Sequence, residues 1–375
     1  MIVGLDARYG LMSQRRGIGV YIYHLLEEWR CNPPQDVTFV AFADGRADPD
    51  LVTRFSTPSM EVSVLHARPF AIWEQWALPR AALQRRVDLL HAMANVAPLR
   101  VGVPFVVTFF DVIEWHRGHD FPGNLAPRHR LSRLYRMNAM AKNSKTAKHV
   151  LTISHHAAKD IERTLHVPAE KMTVIPLGYS TRSVAPDIAI LEEIGLRPRE
   201  YAMAFGALDD RKNIAMLLDL WTHQSMPCSL VVVGFEPEAL TAVERVYGNG
   251  RNLYLLGFQS DARVRALLEQ AAMFLYPSFY EGFGLPVLEA MAAATPVIVA
   301  AGTAAEEVSG GGALAAPANR PDAWKTAVEI LWADEALWSR LSQDGPRIAA
   351  RHDWHATACA VLEVYRETCR KPRPA

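Results

Sequence analysis

The chain alternates short apolar runs with helix-like stretches, and it does so in two successive series. In the first, the runs are IVGL (2–5), VTFVAF (37–42), VSVLH (62–66), LLHA (89–92), FVVTFF (105–110), VLTI (150–153) and TVIPL (173–177). They are too short for buried helices and rich in β-branched residues, and helical patterns such as 19–30 and 71–84 separate most of them. That order predicts an α/β fold, because strands covered on both faces by crossover helices read as continuous apolar runs. The second series comprises YAMAF (201–205), SLVVV (229–233), LYLL (253–256), MFLY (273–276) and PVIVA (296–300), with a helix over 261–271 that Ser260 is suited to cap. The turn-rich interval 176–200 reads as a linker. The expected organisation is a Rossmann-like domain over 1–178, a second over 179–350, and a terminal helix in 351–375 packing back towards the first. Doubly wound sheets bind ligands beyond the carboxyl ends of their strands, so function is sought in the loops there.

Composition removes several classes. Forty Lys and Arg balance forty Asp and Glu in 375 residues, which gives no electrostatic case for nucleic acid. The start MIVGLDARYG lacks the layout of a secretory leader, and no apolar stretch approaches the roughly 20 residues of a membrane span, so a cytoplasmic location is expected. Cys31, Cys228, Cys359 and Cys369 form no CxxC pair and predict neither a disulfide framework nor a zinc site. His352 with His355 makes a poor metal site, and Asp48-Pro49-Asp50, though of DxD form, reads more simply as turn chemistry. No metal or other cofactor is expected.

The sharpest local signal is YPSFYEGFGLPVLEAM (276–291), which runs from strand through a glycine loop to a helix start near Pro286. Backbone amides of Gly282, Phe283, Gly284 and Leu285 at a helix N-terminus form a site suited to a diphosphate. Glu281, in the loop, can then reach a sugar beside the phosphates, and Glu289, about a turn into the helix, can accept hydrogen bonds from ribose hydroxyls. Spacing alone equally allows a plain turn and a carboxylate complementing the helix dipole. A second signal, FGALDDRKN (205–213), sets Arg211 and Lys212 at the end of a strand and the start of a helix. Cations oppose the dipole there, so an anionic ligand explains them better than helix stability does.

The Glu281-x7-Glu289 run resembles the signature of family-4 retaining glycosyltransferases, which have the GT-B architecture of two Rossmann-like domains facing a cleft. Arg211-Lys212-Asn213 matches that family's donor-diphosphate segment in order and spacing. DARYGLMSQRRGIGVYI (6–22) resembles its N-terminal glycine loop, and WEQWALP (73–79) a segment of its bacterial polysaccharide branch. The resemblance implies that Arg211 and Lys212 hold the donor phosphates, with Glu281 on the transferred sugar and Glu289 on the ribose. It further implies that Gly257 and Phe258 border the base and that Gly17 and Gly19 approach the phosphates. Asp111, which follows Phe110 where many members carry a His-Asp pair, joins the catalytic set; Phe110 itself reads as a core residue. His91, ending LLHA at a sheet edge, is expected to face the cleft and touch acceptor or donor, and His116 is expected at the acceptor or the cleft. Ala207 stands where some relatives have a phosphate-binding arginine, and Arg211 is the substitute.

What the resemblance implies is metal-independent, retaining transfer of a hexose, mannose from GDP-mannose, to an oligosaccharide or lipid-linked acceptor in polysaccharide synthesis. A UDP-hexose donor, a nucleotide-sugar epimerase and an inactive sugar-nucleotide binder stay open as alternatives. Between Phe121 and Lys159 there are many basic residues and no acid, and Arg128, Arg130, Arg133 and Arg136 are expected to form a patch for anionic lipid on the inner face of the membrane.

Overall fold

The computed structural model describes residues 1–15, 17–116, 118, 127–180, 184–250 and 252–370, excepting the side chains of 127–129. The chain divides into two compact units, one comprising Met1–Trp115, Leu125–Gly178 and Asp353–Ala375, the other His116–Asn124 and Tyr179–His352.

The first unit is built on a parallel sheet of β1 (Ile2–Asp6), β2 (Thr38–Asp44), β3 (Met60–Leu65), β4 (Leu89–Ala92), β5 (Phe105–Thr108), β6 (His149–Thr152) and β7 (Met172–Val174). Their order is β3-β2-β1-β4-β5-β6-β7, so the winding reverses between β1 and β4. Register there sets Ile2 opposite Thr38 on one side and Val3 opposite Leu89 on the other. Phe42, Leu90, Val107 and Val150 lie in the core that this sheet shares with its helices.

The helical stretch around 71–84 is not uniform. After Phe70–Ile72 it widens into a π-turn over Trp73–Ala77 and then continues as Leu78–Gln84. A π-turn adds a residue to the winding and re-aims its side chains, and here Glu74 is buried against Arg8. The Arg8 guanidinium lies 2.8 Å from Glu74 and 3.0 Å from Asp6, with all three side chains almost fully buried. The rings of Tyr9, Phe70 and Trp73 surround it, and the Tyr135 hydroxyl donates to Glu74.

The helix Trp354–Cys369 belongs to this unit. Asp353 caps it by accepting from the amides of His355 and Ala356. Trp354 stacks on His24 at 4.6 Å, and the Trp29 indole donates to Ala358 O.

The second unit carries β8 (Tyr201–Phe205), β9 (Ser229–Phe235), β10 (Leu253–Gly257), β11 (Met273–Tyr276), β12 (Val297–Ala300) and β13 (Ala313–Ala316). The order β10-β9-β8-β11-β12-β13 reverses between β8 and β11. The strand β13 was not expected: ALAA has no β-branched or aromatic residue. It forms because Val297 to Ala300 of β12 pair with it residue by residue at the sheet edge. Among the described residues, no helix is long and apolar enough to cross a membrane.

Candidate functional site

In the second unit the two sharpest motifs leave adjacent strands at the point where the sheet's order reverses, which is where open α/β sheets take ligands. After β8, Asp209 caps a single 3-10 turn over Asp210–Lys212, and Asn213 takes a left-handed conformation (φ 55°) before the helix Ile214–His223 begins. Asparagine tolerates that conformation better than most residues. Its side-chain amide donates to Pro277 O and Ala318 O, at 3.2 and 2.8 Å, and so ties this loop to the one after β11. The sequence points to Arg211 and Lys212 but not to this clamp. Its only signal was an asparagine directly after the two cations.

The cations converge on Glu281. Arg211 Nη1 lies 2.7 Å from one carboxylate oxygen, and Lys212 Nζ lies 2.7 Å from the other. Arg211 also donates to Tyr280 O, and Lys212 to the Tyr276 hydroxyl at 3.0 Å. Burial pushes the Glu281 carboxyl up, but the charges of Lys212 and Arg211 outweigh it and hold the group below its ordinary value. Burial likewise acts to lower Lys212, and Tyr276 and Glu281 reverse it, so the lysine is raised. Asp209 lies 3.4 Å from Arg211 Nε as well, so the two cations are formally balanced by two carboxylates, and both sit beside a helix N-terminus.

That N-terminus belongs to Leu285–Ala292, with Gly284 as its cap and Pro286 in the first turn. Gly284 adopts φ 120°, and a Cβ there would come within 3.3 Å of Ala305 Cα, so glycine is required for both reasons. Gly282 is half-buried and Phe283 is buried, its ring edge-on to His352 at 5.6 Å. Glu289 lines a pocket with Tyr179, Asp261, Val264 and Arg265. Gly257 ends β10 at a shift of register, and Phe258 beyond it is 52% exposed. His116, which groups with this unit, has its ring 4.7 Å from Tyr280, the neighbour of Glu281.

In the first unit, Gly17 caps the helix Ile18–Cys31 at φ 47° with open space where a side chain would stand. Gly19 is glycine for packing, since a Cβ would lie 2.7 Å from Tyr9 O. Asp111 accepts from Ile113 N at the start of the short helix Ile113–His116. Phe110 is buried edge-on to Tyr21 at 5.2 Å, as a core residue would be. Asp48 caps the helix Pro49–Phe55 by accepting from Asp50 N, which accounts for the DxD run by local structure. His355 pairs with Glu28 at 3.3 Å. Among the described residues there is no group of three or more His, Cys, Asp or Glu arranged to hold a metal.

Two expectations are corrected. His91 does not face a ligand: it is fully buried in β4, with Nδ1 2.6 Å from the Tyr365 hydroxyl and Nε2 2.7 Å from the Thr108 hydroxyl. Burial pushes it down to about 3, so it is a neutral core histidine. The arginine patch is also smaller than expected. Glu114, just outside the acid-free stretch, accepts from Arg136 Nε at 2.7 Å through its carboxylate and from Arg133 Nε at 2.7 Å through its backbone carbonyl. Arg130 is exposed, and the side chain of Arg128 lies outside the described residues.

Comparison with known proteins matches residues 15–183 to the model described as Glycosyltransferase Family 4 and residues 191–347 to Glycosyl transferases group 1. The chain is 30% identical over 246 residues to O-antigen chain mannosyltransferase B of Escherichia coli, covering 62% of this chain and 64% of that one. It is 28% identical over 214 residues to O-antigen chain mannosyltransferase RfbU of Salmonella typhimurium, covering 56% and 58%. These matches thus span about three-fifths of the relatives' length. In three dimensions it resembles sucrose-phosphate synthase from Thermosynechococcus elongatus (TM-score 0.75, 19% identity, 98% of each chain). It also resembles the Anabaena protein HepE in complex with UDP-glucose (TM-score 0.71, 18% identity, 98% and 99%).

Proposed function

The chain belongs to glycosyltransferase family 4, with the GT-B fold, and on that premise we propose that it transfers mannose from GDP-mannose to an oligosaccharide or lipid-linked acceptor in polysaccharide synthesis. The observation that carries the reading is the convergence of Arg211, Lys212 and Glu281 beside the Gly282–Leu285 amides at the reversal of the sheet. Breaking the sugar–phosphate bond builds negative charge on the departing diphosphate and positive charge on the sugar. Arg211 and Lys212, with the helix amides, stabilise the first, and Glu281 the second. These fixed charges do electrostatic work that a metal ion does in other transferases, so turnover requires none. Glu289 holds the ribose, and Gly257 and Phe258 border the base. The acceptor hydroxyl attacks the anomeric carbon from the face the diphosphate leaves, and its proton passes to a donor phosphate oxygen, so the configuration is retained. Asp111 orients the reacting sugar in the absence of the family's histidine.

The mannosyltransferase relatives support mannose. The base is reached mainly through backbone groups, and calorimetry with GDP and UDP tests it. GDP is expected to bind more tightly. Tenfold tighter UDP, about 1.4 kcal/mol, would replace mannose with a UDP-hexose donor. Docking on anionic lipid at the inner membrane face rests on Arg130, Lys142 and Lys145, which are exposed on the helix Pro127–Thr146. Reversing these three charges should abolish sedimentation with anionic vesicles. Equal binding of the unaltered protein to neutral vesicles would remove the electrostatic basis.

A further inference from the structure

A second pocket of about 260 Å³ lies in the unit that carries the donor loops, lined by Arg199, Ala272, Leu331, Trp332, Glu335 and Trp338. It is distinct from the site described above. Arg199 stands two residues before β8 and Ala272 directly before β11, whereas Arg211 and Glu281 follow those strands. Four to five residues of strand separate the two ends by about 13–17 Å.

Its chemistry is mixed in a particular way. Trp332 is 40% exposed at the end of the helix Pro321–Ala333, while Trp338 is held by an indole hydrogen bond to Ala272 O. The Arg199 guanidinium lies over the Trp338 ring at 3.7 Å and makes two hydrogen bonds to the Glu335 carboxylate, at 2.9 and 3.2 Å. Arg199 does this from a left-handed backbone (φ 64°), a conformation that disfavours an arginine.

The ion pair balances, so the pocket offers no excess charge to an ionic ligand. A wholly apolar occupant would desolvate Arg199 and Glu335 without replacing their bonds to water. A pyranose ring suits both features. Its C–H face lies against an indole, and its hydroxyls donate to Glu335 and accept from Arg199. We propose that this pocket binds a neutral hexose unit of the growing polymer, away from the reacting end. The assignment rests on the transferase reading for the source of the sugar, but the binding titration that tests it does not depend on turnover.

The protein is saturated with GDP and titrated with a neutral mannose oligosaccharide of about six units, while the indole N–H resonances are followed by NMR. The Trp332 resonance, assigned by its loss in Trp332→Ala, should shift with millimolar saturation, and Trp332→Ala should weaken binding at least about tenfold. Arg199→Gly should also weaken it, and because glycine accepts φ 64° without strain this variant keeps its fold. In transfer assays both variants should raise KM for a long acceptor by a similar factor and leave KM for a single-sugar acceptor unchanged. A Trp332 resonance that does not move, or equal binding by both variants, would overturn the proposal even if transfer itself is confirmed.

Discussion

Removing the negative charge of Glu281 should tighten the binding of free nucleoside diphosphate while slowing turnover. The carboxylate occupies both cations, at 2.7 Å from Arg211 and 2.7 Å from Lys212. A phosphate oxygen approaching the far side of either nitrogen at a similar distance would stand about 5.4 Å from the carboxylate oxygen, the sum of the two contacts. At an effective dielectric of about 20, two unit charges at that separation repel by about 3 kcal/mol. The site is partly open to solvent, and halving the figure for screening leaves about 1.5 kcal/mol, or roughly tenfold in Kd. Calorimetry of GDP with Glu281→Gln should therefore show Kd falling by about that factor, while Lys212→Ala weakens GDP by about 1.5–3 kcal/mol. Turnover of Glu281→Gln should fall, because the carboxylate's attraction to the sugar grows as positive charge develops. Unchanged or weaker GDP binding by Glu281→Gln would show that the cations do not face the diphosphate, and the mechanism would fail with it.

Glu289→Gln should mainly raise the donor KM, since ribose contacts act alike in ground and transition states, and a fall confined to kcat would contradict its assignment. EDTA should leave transfer intact, and an absolute demand for manganese or magnesium would reopen the metal question. His91→Ala removes a buried side chain and leaves the Thr108 and Tyr365 hydroxyls without it; it should cost about 2–4 kcal/mol in urea unfolding while leaving GDP affinity unchanged. Burial raises Asp6 from 3.8 to about 6 against the pull of Arg8. The folded state therefore binds the extra proton, and this group's contribution to stability falls as pH rises from about 4 to 6 and stays lost above that. Asp6→Asn, which leaves Arg8 balanced by Glu74, should gain up to about 3 kcal/mol over the unaltered protein at pH 8 and little at pH 4, and parallel pH profiles of melting temperature would refute this.

Much of this architecture was legible in order along the chain. All seven strands of the first sheet and five of the six in the second coincide with apolar runs, because burial on both faces writes itself into local composition. The Arg211-Lys212 and Glu281 loops were legible for a related reason. Like charges at a helix start have few purely structural uses, whereas the glycine loop, which spacing alone leaves open to a plain turn, is legible through its resemblance to the family signature. What escaped depends on contacts far apart in sequence. His91 looks like a residue at a sheet edge, and the Tyr365 hydroxyl from the C-terminal helix, with that of Thr108 on the next strand, makes it a core residue. The acid-free stretch looked uniformly basic until Glu114 folded onto Arg133 and Arg136. The Asp6–Arg8–Glu74 cluster needs a π-turn, which leaves no periodic trace in so short a segment. The strand β13 needs only its neighbour, and alanine carries no mark of that.

The central claim is transfer from GDP-mannose with retention, and the anomeric configuration of the product tests it most directly. Incubation with GDP-α-mannose and a mannose-terminated oligosaccharide in EDTA, followed by NMR of the purified product, should reveal a new α-linked mannose and GDP in equal amounts. A β-linked product would contradict the same-face mechanism. GDP-mannose that binds but is neither transferred nor hydrolysed would contradict the account as a whole.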